Sequence, residues 1–249
     1  MILCKHSSAE FADIHCHILP GVDDGAGDRQ EALKMLEIAY HAGITHMIVT
    51  PHYKEGRHNV SPAGIKKRLL SLQKEAEDIG IFISLFPGNE IFYFSEIEER
   101  LRQGKIQTLN GSHYLLIEFL PSESFVSIRN AVIHILSTGY IPIVAHAERY
   151  LCMLKHDDYI EELRMLGAEI QINISSIEGK MGYEVKRFTH RILKRKLVDY
   201  LGTDAHDCKR RTPDVRKCMD RLYRKYDMDY IDSISYLNAL QIIEEEQYT

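Results

Sequence analysis

The hydrophobic and polar positions of the chain repeat one pattern four times: a helical segment, a glycine, and a short strand of apolar or β-branched residues. The four glycines are Gly43, Gly80, Gly139 and Gly167. A glycine just past a helix supplies the left-handed residue that ends it, and an apolar run after it is typical of a strand buried on both faces. Helices that alternate with such strands predict right-handed βαβ units and a parallel sheet.

Shorter signals between the strands support the same series. Asp28 followed by Glu31 is typical of a helix N-terminal cap, and the pair Ser61 and Pro62 opens another helix. From Pro213 onward the pattern predicts two terminal helices that cover the barrel wall. Since no low-complexity linker interrupts the series, we predict a single domain.

The composition is that of an ordinary globular protein. The chain has 249 residues, 45% of them hydrophobic, and a net charge of −5, and α/β barrels commonly form one domain of about 250 residues. This charge predicts no basic patch large enough for nucleic acid to be the main partner. No apolar run approaches the ~18 residues of a membrane span. Lys5 and His6 interrupt a signal-peptide pattern, and five scattered cysteines do not form a disulfide framework, so we expect a reduced, cytoplasmic location.

Residue types that bind metals stand at the C-terminal ends of the predicted strands. Their intervals of 27 to 38 residues match the length of one βα unit, and closed α/β barrels place their chemistry on this face. Any one of these histidines alone would more often be a core residue bonded to the backbone, but the regular spacing of the whole set favours a metal centre. The set is His15, His17, His52, Glu90, Glu118, His146, Asn173, Asp204 and His206.

Local spacing refines this prediction. In a strand, His15 and His17 point to one side, and Asp204 with His206 repeats that geometry. Imidazole and carboxylate together suit Zn, Mn or Fe, and the set is too large for one tetrahedral ion, which indicates two or three metals. Two arginines follow the strand ends and offer donors to phosphate or carboxylate. They are Arg149 and Arg211.

Six ordered motifs carry a family resemblance over nearly the whole chain. They are DIHCHILPGVDDG from Asp13, VTPHY from Val49, PGNEIFY from Pro87, LLIEF from Leu115, VAHAERY from Val144 and TDAH from Thr203. With these motifs the chain resembles the PHP (polymerase and histidinol phosphatase) family. Within that family it is similar to the CpsB/CapC-type protein-tyrosine phosphatases of bacterial capsule and exopolysaccharide loci.

The resemblance implies a distorted (β/α)7 barrel of the PHP type, a single domain over residues 13–249 after an N-terminal extension of residues 1–12. It also implies a site for two to three divalent ions, usually Mn, with Fe or Zn as alternatives. Spacing from the His-x-His motif favours Asp24 over Asp23 as a ligand, although either could reach a metal. The implied ligands of the three metals are His15, His17, Glu90 and Asp204; Glu90, Glu118 and His146; and Asp24, His52 and His206.

The implied activity is hydrolysis of phosphotyrosine by a hydroxide held between metals, with Arg149 and Arg211 clamping the phosphate. The implied partner is a bacterial tyrosine kinase with a tyrosine-rich tail that controls capsule or exopolysaccharide synthesis. A tyrosine phenolate, with a pKa of ~10, leaves without a strong general acid.

Three other interpretations compete with this one. The chain could be a small-molecule PHP phosphoesterase such as a histidinol phosphatase, or a metal-binding module that has lost catalysis. Cys218 and Arg224 also have the C-x5-R spacing of thiolate phosphatases, but the residues between them form a helical pattern without glycine, which argues against a phosphate-binding loop. The sequence leaves the oligomeric state open, and an oligomer is compatible with it.

Overall fold

The computed structural model describes residues 10–245, which contain nine strands and ten α-helices. The strands are β1 (Phe11–Cys16), β2 (Ile44–Val49), β3 (His52–Tyr53), β4 (Ser84–Pro87), β5 (Glu90–Phe92), β6 (Tyr114–Glu118), β7 (Ile141–Val144), β8 (Glu169–Asn173) and β9 (Tyr200–Gly202). The helices are α1 (Arg29–His41), α2 (Pro62–Asp78), α3 (Ile97–Arg102), α4 (Phe125–Ser137), α5 (Asp157–Leu166), α6 (Ile174–Glu178), α7 (Tyr183–Lys194), α8 (Arg216–Lys225), α9 (Met228–Asp232) and α10 (Asn238–Glu244).

All strand pairs are parallel, and the strands form two curled sheets. One sheet has the order β1-β2-β4 and the other has the order β3-β5-β6-β7-β8-β9. The chain passes from the first sheet to the second between β2 and β3, where Pro51 offers no N–H to a ladder, and again between β4 and β5. A parallel bridge between Cys16 and Ala205 joins β1 to the residues after β9. The result is a single α/β domain whose parallel strands curl around a common interior.

The predicted ends of the helices are confirmed. Gly43, Gly80, Gly139 and Gly167 have φ angles of 87°, 84°, 87° and 108°, the left-handed conformation that glycine adopts without steric cost. The Asp28 carboxylate accepts a hydrogen bond from the Glu31 amide at the start of α1, and the Ser61 hydroxyl accepts one from the Gly64 amide at the start of α2.

Two hydrophobic clusters hold the strands in place. The larger cluster lies between the strands and the surrounding helices. The smaller cluster fills the interior of the curl, where residues of β1, β2, β6, β7 and β9 meet Ala239 and Ile242 of α10. The predicted terminal helices are present as α8 and as a second helical run from α9 to α10 that contains a π-helical turn at Ser233–Leu237. The second run therefore supports the interior of the curl as well as its wall.

The N-terminal boundary of the domain and the hydropathy of its helices complete the description of the fold. Most of the predicted extension of residues 1–12 lies outside the described residues, and β1 begins at Phe11. Within residues 10–245, no helix has both the length and the hydropathy that crossing a membrane requires.

Candidate metal centre

Five histidines and four carboxylates gather on the side of the sheets where the strands end. His52 and Glu90, predicted at the ends of strands, are instead the first residues of the short strands β3 and β5, three residues past the ends of β2 and β4. The nine residues fall into four groups, and in each group the potential ligand atoms lie within 4.8 Å of one another. Together the groups contain every metal ligand that the family resemblance implies. Asn173, the remaining member of the strand-end set, lies in none of the groups and donates a hydrogen bond to Asp204 instead. The groups are His17, Asp24, His52 and His206; His15, Glu90 and His146; His15, His17 and Asp204; and His52, Glu90 and Glu118.

Glu90 occupies the middle of this cluster. Its Oε1 atom lies 2.7 Å from His146 Nε2 and 3.3 Å from His15 Nε2. Its Oε2 atom lies 2.9 Å from His52 Nδ1 and 3.3 Å from His17 Nε2. Burial raises the pKa of this carboxyl, but the surrounding histidines outweigh burial and hold the pKa well below its usual range. Each oxygen of an ionised Glu90 thus faces two imidazoles, an arrangement suited to a bridging ligand.

Gln171 orients two histidines from behind. Its Oε1 atom accepts a hydrogen bond from the His146 backbone N–H at 2.7 Å, which fixes the orientation of the side-chain amide. The same oxygen lies 3.1 Å from His15 Nδ1, so Nδ1 must carry the proton and Nε2 presents its lone pair. The Gln171 amide nitrogen donates to Asn173 at 2.8 Å, and Asn173 donates to Asp204 at 2.8 Å.

The two neighbouring aspartates have different surroundings. Asp23 is nearly buried, and its Oδ2 atom accepts hydrogen bonds from His17 Nδ1 at 2.8 Å and from the His52 amide at 3.1 Å. The Asp24 side chain is exposed, and its Oδ1 atom lies 3.3 Å from His52 Nε2 and 3.5 Å from His206 Nε2. This geometry places Asp24 among the potential ligands and Asp23 behind His17, where a carboxylate orients a ligating imidazole.

His15 and His17 face each other through their Nε2 atoms at 3.3 Å. Since both Nδ1 atoms donate to acceptors, two neutral rings would point lone pairs at each other, which requires a cation between or beside them. Burial disfavours positive charge on His17, but hydrogen bonds to Asp23 and Glu90 raise its pKa to about 9. A proton or a metal ion meets this demand, and the donor set of imidazoles and carboxylates fits Mn, Fe or Zn.

His52 differs from the ligand grouping that the resemblance implies, because it uses both ring nitrogens. Its Nε2 atom faces Asp24, while its Nδ1 atom lies 3.1 Å from Glu118 Oε1 without hydrogen-bonding alignment. His52 Nδ1 and Glu118 Oε1 are buried and lack a hydrogen-bond partner among the described residues, as does His146 Nδ1. His52 therefore links the group that contains Asp24 to the group that contains Glu118.

Both predicted arginines reach the cluster through Asp204. Arg149 Nη2 lies 2.6 Å from Asp204 Oδ2, and Arg211 Nη2 lies 2.6 Å from Asp204 Oδ1. Burial lowers the pKa of Arg149, but Asp204, Glu148 and other carboxylates outweigh it and raise the pKa. A short 3-10 turn at Ala147–Arg149 directs Arg149 inward. Two permanent cations therefore lie beside the cluster.

The alternative cysteine site is not built for catalysis. Cys218 lies within α8, its side chain is buried, and its Sγ atom contacts the Ile174 carbonyl oxygen at 3.9 Å. Burial raises the pKa of this thiol to about 12, so it stays protonated at neutral pH.

Sequence reasoning did not predict the supporting roles of Asp23, Gln171 and Asn173. A signal was available in strand β8, where Gln171 and Asn173 alternate with Ile170 and Ile172, so the two polar residues must share one face. Both are fully buried, and buried polar groups need partners.

Comparisons with known proteins agree with this site. A family described as "Capsular polysaccharide synthesis, CpsB/CapC" matches residues 11–244. The chain is 33% identical to the tyrosine-protein phosphatase YwqE of Bacillus subtilis, over 86% of this chain and 84% of that protein. It is 33% identical to the putative tyrosine-protein phosphatase CapC of Staphylococcus aureus, over 94% and 91%.

A solved structure resembles the whole domain. It comes from work on YwqE from Bacillus subtilis and CpsB from Streptococcus pneumoniae, described as unique metal-dependent tyrosine phosphatases. The TM-score is 0.87 at 29% identity, and the match covers 96% of each chain. The matched range includes every residue of the candidate centre, and on this evidence the chain belongs to the CpsB/CapC family.

Proposed function

We propose that this protein is a metal-dependent protein-tyrosine phosphatase that hydrolyses phosphotyrosine in the cytoplasm. Its substrate would be the tyrosine-rich tail of a bacterial tyrosine kinase that controls capsule or exopolysaccharide synthesis. The relatives support the reaction, since YwqE is a tyrosine-protein phosphatase and the phosphatases of the solved structure are described as metal-dependent. The family description supports the connection with capsule synthesis.

The observation that carries the proposal is the 3.3 Å approach of two imidazole Nε2 atoms beside an ionised Glu90. Two facing imidazole nitrogens beside a carboxylate attract cations, and a metal ion can bind all three groups at once. We assign two to three divalent ions to it, with Mn as the first choice and Fe or Zn as alternatives. The proposed ligands are His15, His17, Asp24, His52, Glu90, Glu118, His146, Asp204 and His206.

Bound divalent ions would supply Lewis acidity, which polarises phosphoryl oxygens and lowers the pKa of water. The chain's own residues would do the rest. Arg149 and Arg211 would bind and orient the phosphoryl oxygens and stabilise the charge that develops on them. Gln171 and Asp23 would keep the protons of His15 and His17 on Nδ1. A phenolate of pKa ~10 leaves without help from a strong acid.

We further propose that the two sheets together form a distorted (β/α)7 barrel of the PHP type, with residues 13–249 as the phosphatase domain. The strand order supports this, because β2 with β3, and β4 with β5, each act as one interrupted strand. Counted in this way, the curl contains seven strand positions, and the bridge from Cys16 to Ala205 brings the last beside the first.

The test is hydrolysis of a phosphotyrosine peptide by protein stripped of metal and then supplied with Mn. We expect no hydrolysis after stripping, recovery with Mn, and two to three ions per chain by elemental analysis. Full activity in a metal-free preparation would refute the metal assignment. Faster turnover of a small aliphatic phosphomonoester than of the phosphotyrosine peptide would refute the substrate assignment.

A further inference from the structure

A basic groove lies on the outer wall of the domain between α7 and α8, and we call it the α7–α8 groove. Its volume is about 490 Å³. No carboxylate of residues 10–245 lines it, although the whole chain carries a net charge of −5. The lining residues are Arg187, His190, Arg191, Lys194, Lys225 and Tyr226. The overall charge, which predicted no large basic patch, therefore conceals a local concentration of positive charge.

Most cations of this groove lack an anionic partner in the described part of the chain. Arg191 is satisfied, since its guanidinium lies 2.7 Å from Asp157. Arg187, Lys194 and Lys225 are exposed, and none of them forms an ion pair with a carboxylate of residues 10–245. These three side chains are available to an external anion.

Two half-buried residues of the groove, His190 and Tyr226, contact each other. His190 Nδ1 lies 2.7 Å from the Tyr226 hydroxyl and 3.3 Å from Lys225 Nζ. Burial, followed by the charges of Lys225 and Lys186, lowers the pKa of His190 to about 4. The imidazole is therefore neutral at neutral pH, and the surrounding lysines supply a positive potential.

Helix α7, which forms one side of the groove, is anchored in the hydrophobic core. The opposite face of α7 is buried through Phe188, Ile192 and Leu193, so its basic face must point outward. A second, smaller cavity adjoins the groove and shares His190, Lys225 and Tyr226 with it. It adds Lys186 and Arg221, together with one carboxylate, Glu178. The basic surface thus extends across both helices.

We propose that the α7–α8 groove binds an acidic segment of a protein partner. Charge complementarity selects an anionic occupant, because Arg187, Lys194 and Lys225 offer three unpaired cations. A concave volume of about 490 Å³ whose His190 and Tyr226 are half-buried favours a peptide over a membrane, since a flat lipid surface would reach only the exposed basic side chains. This interaction goes beyond the proposed phosphatase activity, because it requires neither a phosphate group nor a bound metal.

The experiment measures binding of a short fluorescein-labelled peptide rich in glutamate by fluorescence anisotropy, with the full chain. A glutamine-rich peptide of equal length is the ligand control. We compare wild type with the double variant Arg187→Glu/Lys194→Glu. The matched control is Lys66→Glu/Lys67→Glu, because those lysines are also exposed on an outer helix, α2, without ion pairs in the described structure.

We expect wild type and the α2 control to bind the acidic peptide, and the groove variant to bind it ~10-fold or more weakly. Binding should also weaken as ionic strength rises. Hydrolysis of a small aryl phosphate should stay at the wild-type level in the groove variant, which separates this proposal from the phosphatase assignment. If the double variant does not fold, as judged by circular dichroism, Lys225→Glu replaces it.

Two results would overturn the proposal. The first is equal binding of the acidic peptide by wild type and by the groove variant. The second is groove-dependent binding to vesicles that contain anionic phospholipid, without groove-dependent binding of the peptide, which would make the partner a membrane surface.

Discussion

Replacing Gln171 by methionine removes the oxygen that accepts hydrogen bonds from the His15 ring and from the His146 backbone. Methionine is similar in size and fits a buried site, so the change tests hydrogen bonding more than packing. The His146 N–H loses its partner at 2.7 Å and His15 Nδ1 loses its partner at 3.1 Å. A buried donor left without an acceptor costs ~1–3 kcal/mol, so we expect a loss of stability of that size.

The larger effect of Gln171→Met should be on metal binding. Without the Gln171 oxygen, His15 is free to carry its proton on Nε2, the atom that faces Glu90 at 3.3 Å. Loss of a group that orients a ligand typically weakens metal affinity ~10–100-fold. We therefore predict a drop of that size in Mn affinity, measured by competition with a chelator. Nitrogen NMR of the labelled protein should also show a change in the His15 tautomer.

Gln73→Met is the matched control, because Gln73 also accepts a backbone hydrogen bond, from Leu85 at 2.9 Å, but does so away from the cluster. It should lose stability and keep its Mn affinity. If Gln171→Met binds Mn as tightly as wild type, or if both variants lose affinity equally, then Gln171 does not position His15.

Three further predictions concern the arginines, the thiol and the pH dependence of stability. Arg149→Ala should lower kcat by ~10²–10³-fold with unchanged metal content, since it removes a donor at the place where charge develops. Arg149→Lys should restore part of the lost kcat. Loss of metal and activity together would make Arg149 a structural residue. Cys218→Ser should leave kcat nearly unchanged while His17→Ala loses metal and activity, and a folded but inactive Cys218→Ser would restore the thiolate interpretation. The pKa of His190 is lowered from 6.5 to about 4, so between these pH values only the unfolded chain binds this proton. The free energy of unfolding, measured by urea denaturation, should therefore fall as the pH drops from 6.5 toward 4. It should fall less in His190→Gln.

Much of the fold follows from local signals in the sequence. The glycines after α1, α2, α4 and α5 end their helices as predicted, because a left-handed residue is a local requirement. The division of the strands into two sheets was not predicted. The division arises because β2 and β4 pair in one sheet, while β3 and β5, which follow them in the chain, pair in the other. The hydrogen bonds that decide this pairing join segments distant in sequence, so local signals do not reveal it.

The candidate site divides in the same way. His52, Glu90 and Glu118 were predictable because parallel strands end at the same edge. Glu118 ends β6, and His52 and Glu90 lie three residues past the ends of β2 and β4, so position relative to these strand ends is enough to bring them together. Their detailed partners were not predictable, because His52 contacts two groups at once through its two nitrogens. Similarly, the α7–α8 groove arises only when two basic helix faces pack side by side.

Backbone conformation explains why the supporting residues matter as much as the predicted ligands. His146 and Asp204 have φ angles of 34° and 50°, a conformation that costs a non-glycine residue ~1–3 kcal/mol and persists only where neighbours enforce it. Here the His146 amide donates to Gln171, and the Asp204 amide donates to the His15 carbonyl at 2.8 Å. These hydrogen bonds cross between strands and hold two proposed ligands in strained positions. A substitution behind the cluster, such as Gln171→Met, should therefore disturb the centre without replacing a ligand, because it removes the hydrogen bond that holds the His146 backbone in its strained conformation.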